Sequence, residues 1–463
     1  MKKILSILLV LMMLFSVTAL AENGPGGTPP GDPPSGEMGT PPDGAPGDGG
    51  GFGGGTPPGG STTSFEYTAA VEITEAAEQA DQTYASETVD ESALIVNTTD
   101  AVTITNPTVT KTGDSNGGDN CNFYGLNAAV LVMGGSTTTI TGGTIESSAS
   151  GANGVFCYGG NGASNGAGGD GTTVIISDTT ITTTGNGSGG IMTTGGGVTY
   201  ASNLTVTTSG GSSAPIRTDR GGGTVVVDGG TYTSNGLGSP AIYSTADITV
   251  KNATLVSNLS EGVCIEGMNS ITLENCDMTA NNTSMNGNAT FLDTIMIYQS
   301  MSGDADSGTS SFTMTGGSLT SLSGHMFHVT NTHAVITLSG VTLNNEGSDV
   351  LLSVCDDGWS GASNTAELIA DAQTLSGTIL VGDNSTMTLT LQNGSSFEGA
   401  FSGEITNAKG ATVSTEIGTV NVVLDSTSTW TLTADTYITT FEGSMENVVT
   451  GGYTLYVNGI AMN

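Results

Sequence analysis

Two acidic segments carry side chains that can hold a calcium ion. One is the loop 303–308, which contains Asp304 and Asp306; the other is the pair Asp356 and Asp357. Carboxylate oxygens are the ligands that Ca²⁺ takes in proteins. We therefore predict that these four aspartates bind metal. The alternative for Asp304 and Asp306 is a solvated loop, because the twelve-residue loop that ends in glutamate is missing.

Aromatic residues in the same parts of the chain are candidates for ligand contact. Trp359 follows the second pair of aspartates, and Tyr298, Tyr124 and Tyr158 lie in three segments that interrupt a repeating pattern. A ring with one apolar face and one polar edge is suited to stacking on a sugar. We predict that these four rings bind a glycan, the alternative for Trp359 being a ring that covers the core.

Basic residues are scarce, and two of them stand together in Arg217-Thr-Asp219-Arg220. The simplest interpretation is an arginine–aspartate pair that braces a turn, and the other is a basic site for an acidic substrate. No nucleophile elbow, phosphate-binding loop or dinucleotide fingerprint is present, so the glycine-rich runs are predicted to be turns.

The histidines form a third group, at positions 325, 328 and 333. Alternation along a strand predicts that His325 and His328 point to opposite faces. A metal shared between them is therefore not expected.

Charge excludes several classes of partner. The chain has 43 acidic and 7 basic residues, and its formal net charge is −36. Nucleic acid and anionic membranes need basic clusters, so neither is an expected partner. The five cysteines have no regular spacing, which predicts buried thiols more than a disulfide framework.

The first residues have the features of a secretory signal. Lys2 and Lys3 precede an apolar run over 4–17, and Ala19-Leu-Ala21 provides a cleavage site. We predict a signal peptide over 1–21, a Gly/Pro-rich linker over 22–64, an N-terminal cap region over 65–101 with a short helix near 74–82, and a repeat domain over 102–463. No later segment is predicted to span a membrane. The protein is expected to be secreted, either free or held at the cell surface, and monomeric.

One short pattern recurs through the repeat domain. Two apolar residues spaced by one are followed by a polar bend and another apolar residue, as in Ile248-Thr-Val250-Lys-Asn252-Ala-Thr-Leu255. Alternation of this kind indicates a strand with one buried face. The second apolar positions recur at 104, 140, 176, 200, 227, 250, 273, 314 and 338.

The bend positions are nearly all residues that tolerate a left-handed backbone. They are Asn106, Gly142, Asp178, Ser202, Gly229, Asn252, Asn275, Gly316, Gly340 and Asn393. Repeats of this length with few helical signals favour a solenoid, and crossover chirality favours one hand. We predict an all-β, right-handed parallel β-helix; a β-sandwich is the second choice.

Some segments resemble secreted parallel β-helix proteins of anaerobic gut bacteria, some of which are described as adhesin-like. The segments are 213–223, 327–332 and 430–438. More distantly, the chain is similar to clostridial β-helix proteins of the pectate lyase superfold, which bind cellulose or acidic polysaccharide with calcium. The resemblance implies an architecture more than an activity.

Three functions follow as hypotheses. The first is an extracellular adhesin-like protein that binds a polysaccharide or a host-surface glycan with assistance from Ca²⁺. The second is a calcium-dependent, pectate-type lyase, in which the resemblance implies Arg217 or Arg220 as the base beside Asp219. The third is a structural spacer at the cell surface.

Overall fold

The chain forms a parallel β-helix. The computed structural model describes residues 65–115, 117–161, 168–359 and 363–462. Almost all regular structure in these residues is β-strand, as the alternating pattern predicts. The predicted signal peptide and linker lie outside the described residues.

The first half of the described chain contributes 22 strands and one short helix. The strands are β1 Thr68–Ile73, β2 Ala77–Ala80, β3 Thr83–Ser86, β4 Glu91–Asn97, β5 Ala101–Thr105, β6 Thr108–Lys111, β7 Val130–Met133, β8 Thr137–Thr141, β9 Thr144–Ser147, β10 Val155–Tyr158, β11 Thr173–Ser177, β12 Thr180–Thr183, β13 Ile191–Thr194, β14 Gly197–Thr208, β15 Ile216–Thr218, β16 Gly223–Ser234, β17 Ile242–Ser244, β18 Asp247–Lys251, β19 Thr254–Ser257, β20 Val263–Glu266, β21 Ser270–Glu274 and β22 Asp277–Ala280. Helix α1 spans Asp119–Phe123.

The second half contributes the other 22 strands and one 3₁₀ turn, Met445–Asn447. The strands are β23 Asp293–Tyr298, β24 Thr309–Thr315, β25 Ser318–Ser321, β26 His325–Thr330, β27 His333–Ser339, β28 Thr342–Asn345, β29 Val350–Val354, β30 Asn364–Asp371, β31 Thr374–Ser376, β32 Thr378–Val381, β33 Ser385–Gln392, β34 Ser396–Gly399, β35 Phe401–Ser402, β36 Ile405–Thr406, β37 Thr412–Ser414, β38 Thr419–Leu424, β39 Thr429–Leu432, β40 Thr436–Ile438, β41 Thr440–Glu442, β42 Val448–Val449, β43 Leu455–Val457 and β44 Ile460–Met462.

The strands stack into two long walls. Sheet 1 has 13 strands in the order β1, β4, β7, β10, β13, β15, β17, β20, β23, β26, β29, β32 and β35, and every neighbouring pair is parallel. Sheet 2 has 22 strands, mostly two per coil, which meet at a bend. A short four-stranded sheet (β31, β34, β39, β42) continues this second part of the coil toward the C-terminus.

The bends confirm the sequence pattern with one exception. All the predicted bend positions except Ser202 have positive φ, for example 53° at Asn252 and 48° at Asn106. In the remaining coil the left-handed residue is Asn203, with φ 51°. The predicted inward position Tyr200 is wrong for the same reason: its side chain is 48% exposed, and Ala201 faces the core instead. The strand register pairs Ala201 with Val227, one residue later than the apolar pattern indicates.

The first described residues already take part in the stack. Strands β2 and β3 pair in parallel with β5 and β6, and β1 pairs with β4. The short helix expected near 74–82 is wrong, because the segment forms the strand Ala77–Ala80. Pairing with the next coil outweighs the local helical propensity of its Ala and Glu residues.

One continuous apolar core fills the space between the walls. It contains the predicted inward residues such as Ile104, Ile140, Val250 and Leu338. All five cysteines are free and buried, as expected. Cys264 lies outside sheet 1 and Cys276 lies in the main core, so these two thiols are separated by the wall.

A glycine at the bend of the coil gives a sharp test of the stack. Gly317 has φ 71°, and an added Cβ would lie 2.0 Å from the carbonyl oxygen of Cys276 in the coil below. Gly394 has φ 81° but open space around the added atom. Gly394→Ala is expected to cost roughly 1–2 kcal/mol for its left-handed backbone conformation alone. Gly317→Ala should cost clearly more in urea unfolding, and equal costs would contradict the close packing of adjacent coils.

Candidate functional site

The outer face of sheet 1 brings together side chains that strict alternation would separate. Met326 and Phe327 are consecutive and both pack in the main core. Their neighbours His325 and His328 therefore both face outward, and Nδ1 of each lies 2.8 Å from Oγ of Ser353. The prediction that the two histidines point to opposite faces is wrong, because two consecutive side chains between them both point inward.

A groove opens on this outer face near the C-terminal coils. It encloses about 970 Å³ between strands β29, β32 and β35 and the antiparallel hairpin β36–β37. The lining is His325, Asp349, Val350, Thr378, Leu380, Ala400, Phe401, Ser402, Glu404, Ile405, Thr406, Thr412, Ser414, Thr415, Thr433, Ala434 and Asp435. Hydroxyl groups and carboxylates dominate the polar part of this lining, which contains no lysine or arginine.

Trp359 and Tyr298, predicted as ligand-binding rings, lie together on the same outer face. Their ring centroids are 4.8 Å apart. Trp359 is only 3% exposed and Tyr298 is fully buried. The Tyr298 hydroxyl lies 3.1 Å from Glu266, which also accepts a hydrogen bond from Tyr243 at 2.6 Å. In this conformation each ring contacts protein, and neither presents a free face to solvent.

Tyr124 and Tyr158 also lie together, but they are half-buried. Their rings meet edge to face at 5.8 Å. Phe65 and Tyr67 contact the same group, and the Tyr67 hydroxyl donates to the Tyr124 carbonyl at 2.8 Å. We call Phe65, Tyr67, Tyr124 and Tyr158 the aromatic cluster. It lies on the outer face of sheet 1 at the N-terminal coils.

The two arginines lie between the aromatic cluster and the groove. Arg217 pairs with Asp219 at 2.8 Å, and Arg220 pairs with Asp304 at 2.7 Å. The Arg220 guanidinium also lies 4.2 Å above the ring of Phe123. Although burial lowers it, the hydrogen bond and charge of Asp304 raise the pKa of Arg220. Arg220 is thus held as a cation, which is unfavourable for a basic role in elimination.

Two buried carboxylates near the arginines, Asp219 and Glu266, have raised pKa values. Burial, opposed by the charge of Arg217 and reinforced by Asp304 and Glu266, raises the pKa of Asp219 to about 7. Burial also raises the pKa of Glu266, although hydrogen bonds from Ser300 and Tyr243 counteract the rise. These groups form a compact ionic cluster over sheet 1.

The four aspartates predicted as calcium ligands are dispersed. Asp304 pairs with Arg220, Asp306 is exposed, and Asp356 accepts a hydrogen bond from Asn364 at 2.6 Å. Asp357 is buried beside His328. Within the described ranges, no group of three or more His, Cys, Asp or Glu side chains has a geometry suited to a metal ion.

Sequence reasoning missed the groove and the serine behind it. Asp349 and Ser353 belong to one coil, Glu404 and Asp435 come from later parts of the chain, and the four have no shared motif. The available signal was the hydroxyl-rich segment 402–415, which departs from the repeat.

The architecture defines the class of protein as a parallel β-helix. No protein-family model matches the chain, and neither the curated proteins nor the solved structures contain a match. No helix in the described part of the chain is both long enough and apolar enough to cross a membrane.

Proposed function

We propose that the protein is an extracellular carbohydrate-binding protein that holds a glycan in the groove on the outer face of sheet 1. The lining of the groove carries this proposal, because it combines threonine and serine hydroxyls with carboxylates and one imidazole. Sugar hydroxyls donate and accept hydrogen bonds, and such side chains can satisfy both roles. The extracellular location rests on the predicted signal peptide.

Charge favours a neutral glycan over an acidic one. Asp349, Glu404 and Asp435 line the groove, and the chain as a whole has a formal net charge of −36. A polyuronate is repelled by such a surface unless a divalent cation bridges the two sets of carboxylates. We therefore propose a neutral polysaccharide or host-surface glycan as the ligand, with calcium needed only for acidic chains.

The aromatic cluster offers a second contact on the same face. Tyr158 belongs to strand β10 of sheet 1, and its partner Tyr124 follows helix α1. Because sheet 1 extends from β1 to β35, a long glycan chain laid along its outer face can reach both the groove and these rings.

A groove-filling substitution tests the proposal. Ser402 lies on strand β35 at the floor of the groove, so Ser402→Trp should exclude the ligand and reduce affinity at least about tenfold. Thr254→Trp places the same ring on the exposed face of sheet 2 and should leave affinity unchanged. Retention on insoluble neutral polysaccharides and on immobilised polygalacturonate is measured with calcium and with a chelator.

The outcomes separate the three hypotheses. Loss of retention in Ser402→Trp alone supports the groove as the binding site. Unsaturated products released from polygalacturonate would favour the lyase instead. If the unmodified protein is retained on no glycan, the proposed function is wrong and the surface spacer becomes the better explanation.

A further inference from the structure

A chain of polar contacts connects the wall of the groove to a buried carboxylate. His325 lines the groove, and its Nδ1 lies 2.8 Å from Oγ of Ser353. The same Oγ lies 2.8 Å from Nδ1 of His328. Nε2 of His328 lies 3.3 Å from Oδ2 of Asp357, a contact that falls short of hydrogen-bond alignment. We call His325, Ser353, His328 and Asp357 the relay.

The carboxylate at the inner end of the relay is fixed and ionised. Oδ1 of Asp357 accepts hydrogen bonds from the backbone N–H and the hydroxyl of Thr290, at 2.7 and 2.6 Å, and from the N–H of Gly358 at 2.7 Å. Three hydrogen bonds donated to this one oxygen favour the ionised form of the carboxylate. An ionised carboxylate offers only lone pairs, so it repels a lone pair on the facing Nε2 of His328 and favours a proton there.

The direction of the remaining bonds follows from donor counting. Where that proton is the only one on the His328 ring, Nδ1 of His328 is an acceptor and takes the single proton of the Ser353 hydroxyl. Oγ of Ser353 then has only lone pairs to offer His325. His325 must therefore carry its own proton on Nδ1, which leaves a lone pair on Nε2.

The surroundings of His325 keep it neutral. Burial and the adjacent His328 lower the pKa of His325 to about 3. The acidic groups around it are Asp293, its register partner on β23, the groove carboxylates Asp349, Glu404 and Asp435, and Asp357 at the end of the relay. Nε2 of His325 has no hydrogen-bond partner among the described residues. Ser353 is itself fully buried, which rules it out as a nucleophile for a ligand in the groove.

We propose that His325 is a ligand-binding residue whose Nε2 accepts a hydrogen bond from a sugar hydroxyl in the groove. Ser353, His328 and Asp357 act as positioning residues, since they fix the proton of His325 on Nδ1. This inference rests on the proposed function, because it assigns the groove a specific acceptor among side chains that are otherwise hydroxyls and carboxylates.

Nitrogen NMR of the full chain tests the relay without a ligand. The protein has only three histidines, so selective ¹⁵N-histidine labelling yields three ring spin systems. At neutral pH His325 should show a protonated Nδ1 and an unprotonated Nε2. Ser353→Ala should move His325 toward the other tautomer, whereas His333, which pairs with Glu367 on the far side of the β-helix, should not change.

Binding then tests the acceptor. Oligosaccharides of glucose, xylose and mannose serve as probes, and affinity is measured by calorimetry. His325→Leu and Ser353→Ala should each weaken binding about tenfold. His325→Gln, which retains an acceptor near the position of Nε2, should recover most of the affinity.

The two proposals fail in distinguishable ways. Protonated Nε2 on His325, or a tautomer unchanged by Ser353→Ala, would overturn the relay even if a glycan binds. A correct tautomer in a protein that binds none of the probes would overturn the proposed function and the ligand-binding role of His325. Equal affinity in all variants of a binding-competent protein would overturn that role alone.

Discussion

The protein should be more stable at about pH 5 than at about pH 8. This is the reverse of the pH dependence expected when ion pairs stabilise the carboxylates. Four buried acids explain the expectation. Burial raises the pKa of Glu261, Glu266 and Asp293, and that of Asp219 reaches about 7. The folded state therefore binds protons more tightly than the unfolded state.

The sign follows from proton linkage. A raised folded pKa means that stability falls as pH rises above the unfolded value of about 4, and the fall continues until the folded pKa is passed. For Asp219 this interval ends near pH 7. At pH values above this interval, each unit by which the folded pKa exceeds the unfolded pKa lowers the free energy of unfolding by about 1.4 kcal/mol. Asp357 acts in the opposite direction, since its lowered pKa removes stability only when the pH falls below about 4.

Asp293→Asn separates this effect from general repulsion among the many acidic residues. Asp293 is fully enclosed, one of its carboxyl oxygens has no hydrogen-bond partner in the described structure, and the charge of Glu261 adds to the effect of burial. Asparagine imitates the protonated acid. The variant should have the same melting temperature as the unmodified protein at about pH 5 and a higher melting temperature at about pH 8. If the variant and the unmodified protein differ in melting temperature by the same amount at both pH values, the raised pKa of Asp293 is contradicted.

Trp430→Ala should produce the largest loss of stability from a single core substitution. The indole is completely buried, and its N–H donates to the Gly399 carbonyl at 3.1 Å. Its ring stacks on Phe397 at 6.1 Å and meets Phe401 edge to face at 5.7 Å. Truncating such a residue costs about 3–5 kcal/mol, because the coils above and below cannot close the space.

The damage should be confined to one end of the molecule. In a solenoid each coil contacts its neighbours alone, so hydrogen exchange should accelerate in β33 and the strands after it and remain slow in β14–β21. Trp430→Phe keeps an aromatic ring and should lose less stability than Trp430→Ala. Trp359 remains as a fluorescence reporter in both variants. Exchange that accelerates equally in all coils would contradict this view of local cooperativity.

The architecture was predictable because one requirement repeats along the chain. A strand with its apolar side chains inward needs a left-handed residue wherever the coil bends. The residue types that tolerate this conformation are visible in the sequence, for example at Asn252, Asn275 and Gly316. The error at Tyr200 arose where Thr199 and Ala201, rather than large aliphatic residues, face inward. A weakly apolar strand leaves the register undecided by one residue.

The candidate site was predictable only in part. Local sequence identified the pair Arg217 and Asp219, which the structure brings together. It did not show that Tyr124 and Tyr158, from two separate segments, meet. It could not show that Trp359 is buried, since the segment that covers it comes from another coil. The relay was hidden because its two halves, His325 with His328 and Ser353 with Asp357, are separated by 25 residues or more along the chain.

The double inward step at Met326 and Phe327 recurs at Leu351 and Leu352 and at Ala241 and Ile242. On this wall, neighbours on the solvent side can therefore be three positions apart, as His325 and His328 are. A motif search that assumes even spacing along a strand will overlook such pairs. Other solenoids can also have two consecutive inward residues in a strand. In such strands, ligand-binding residues should also be sought three positions apart.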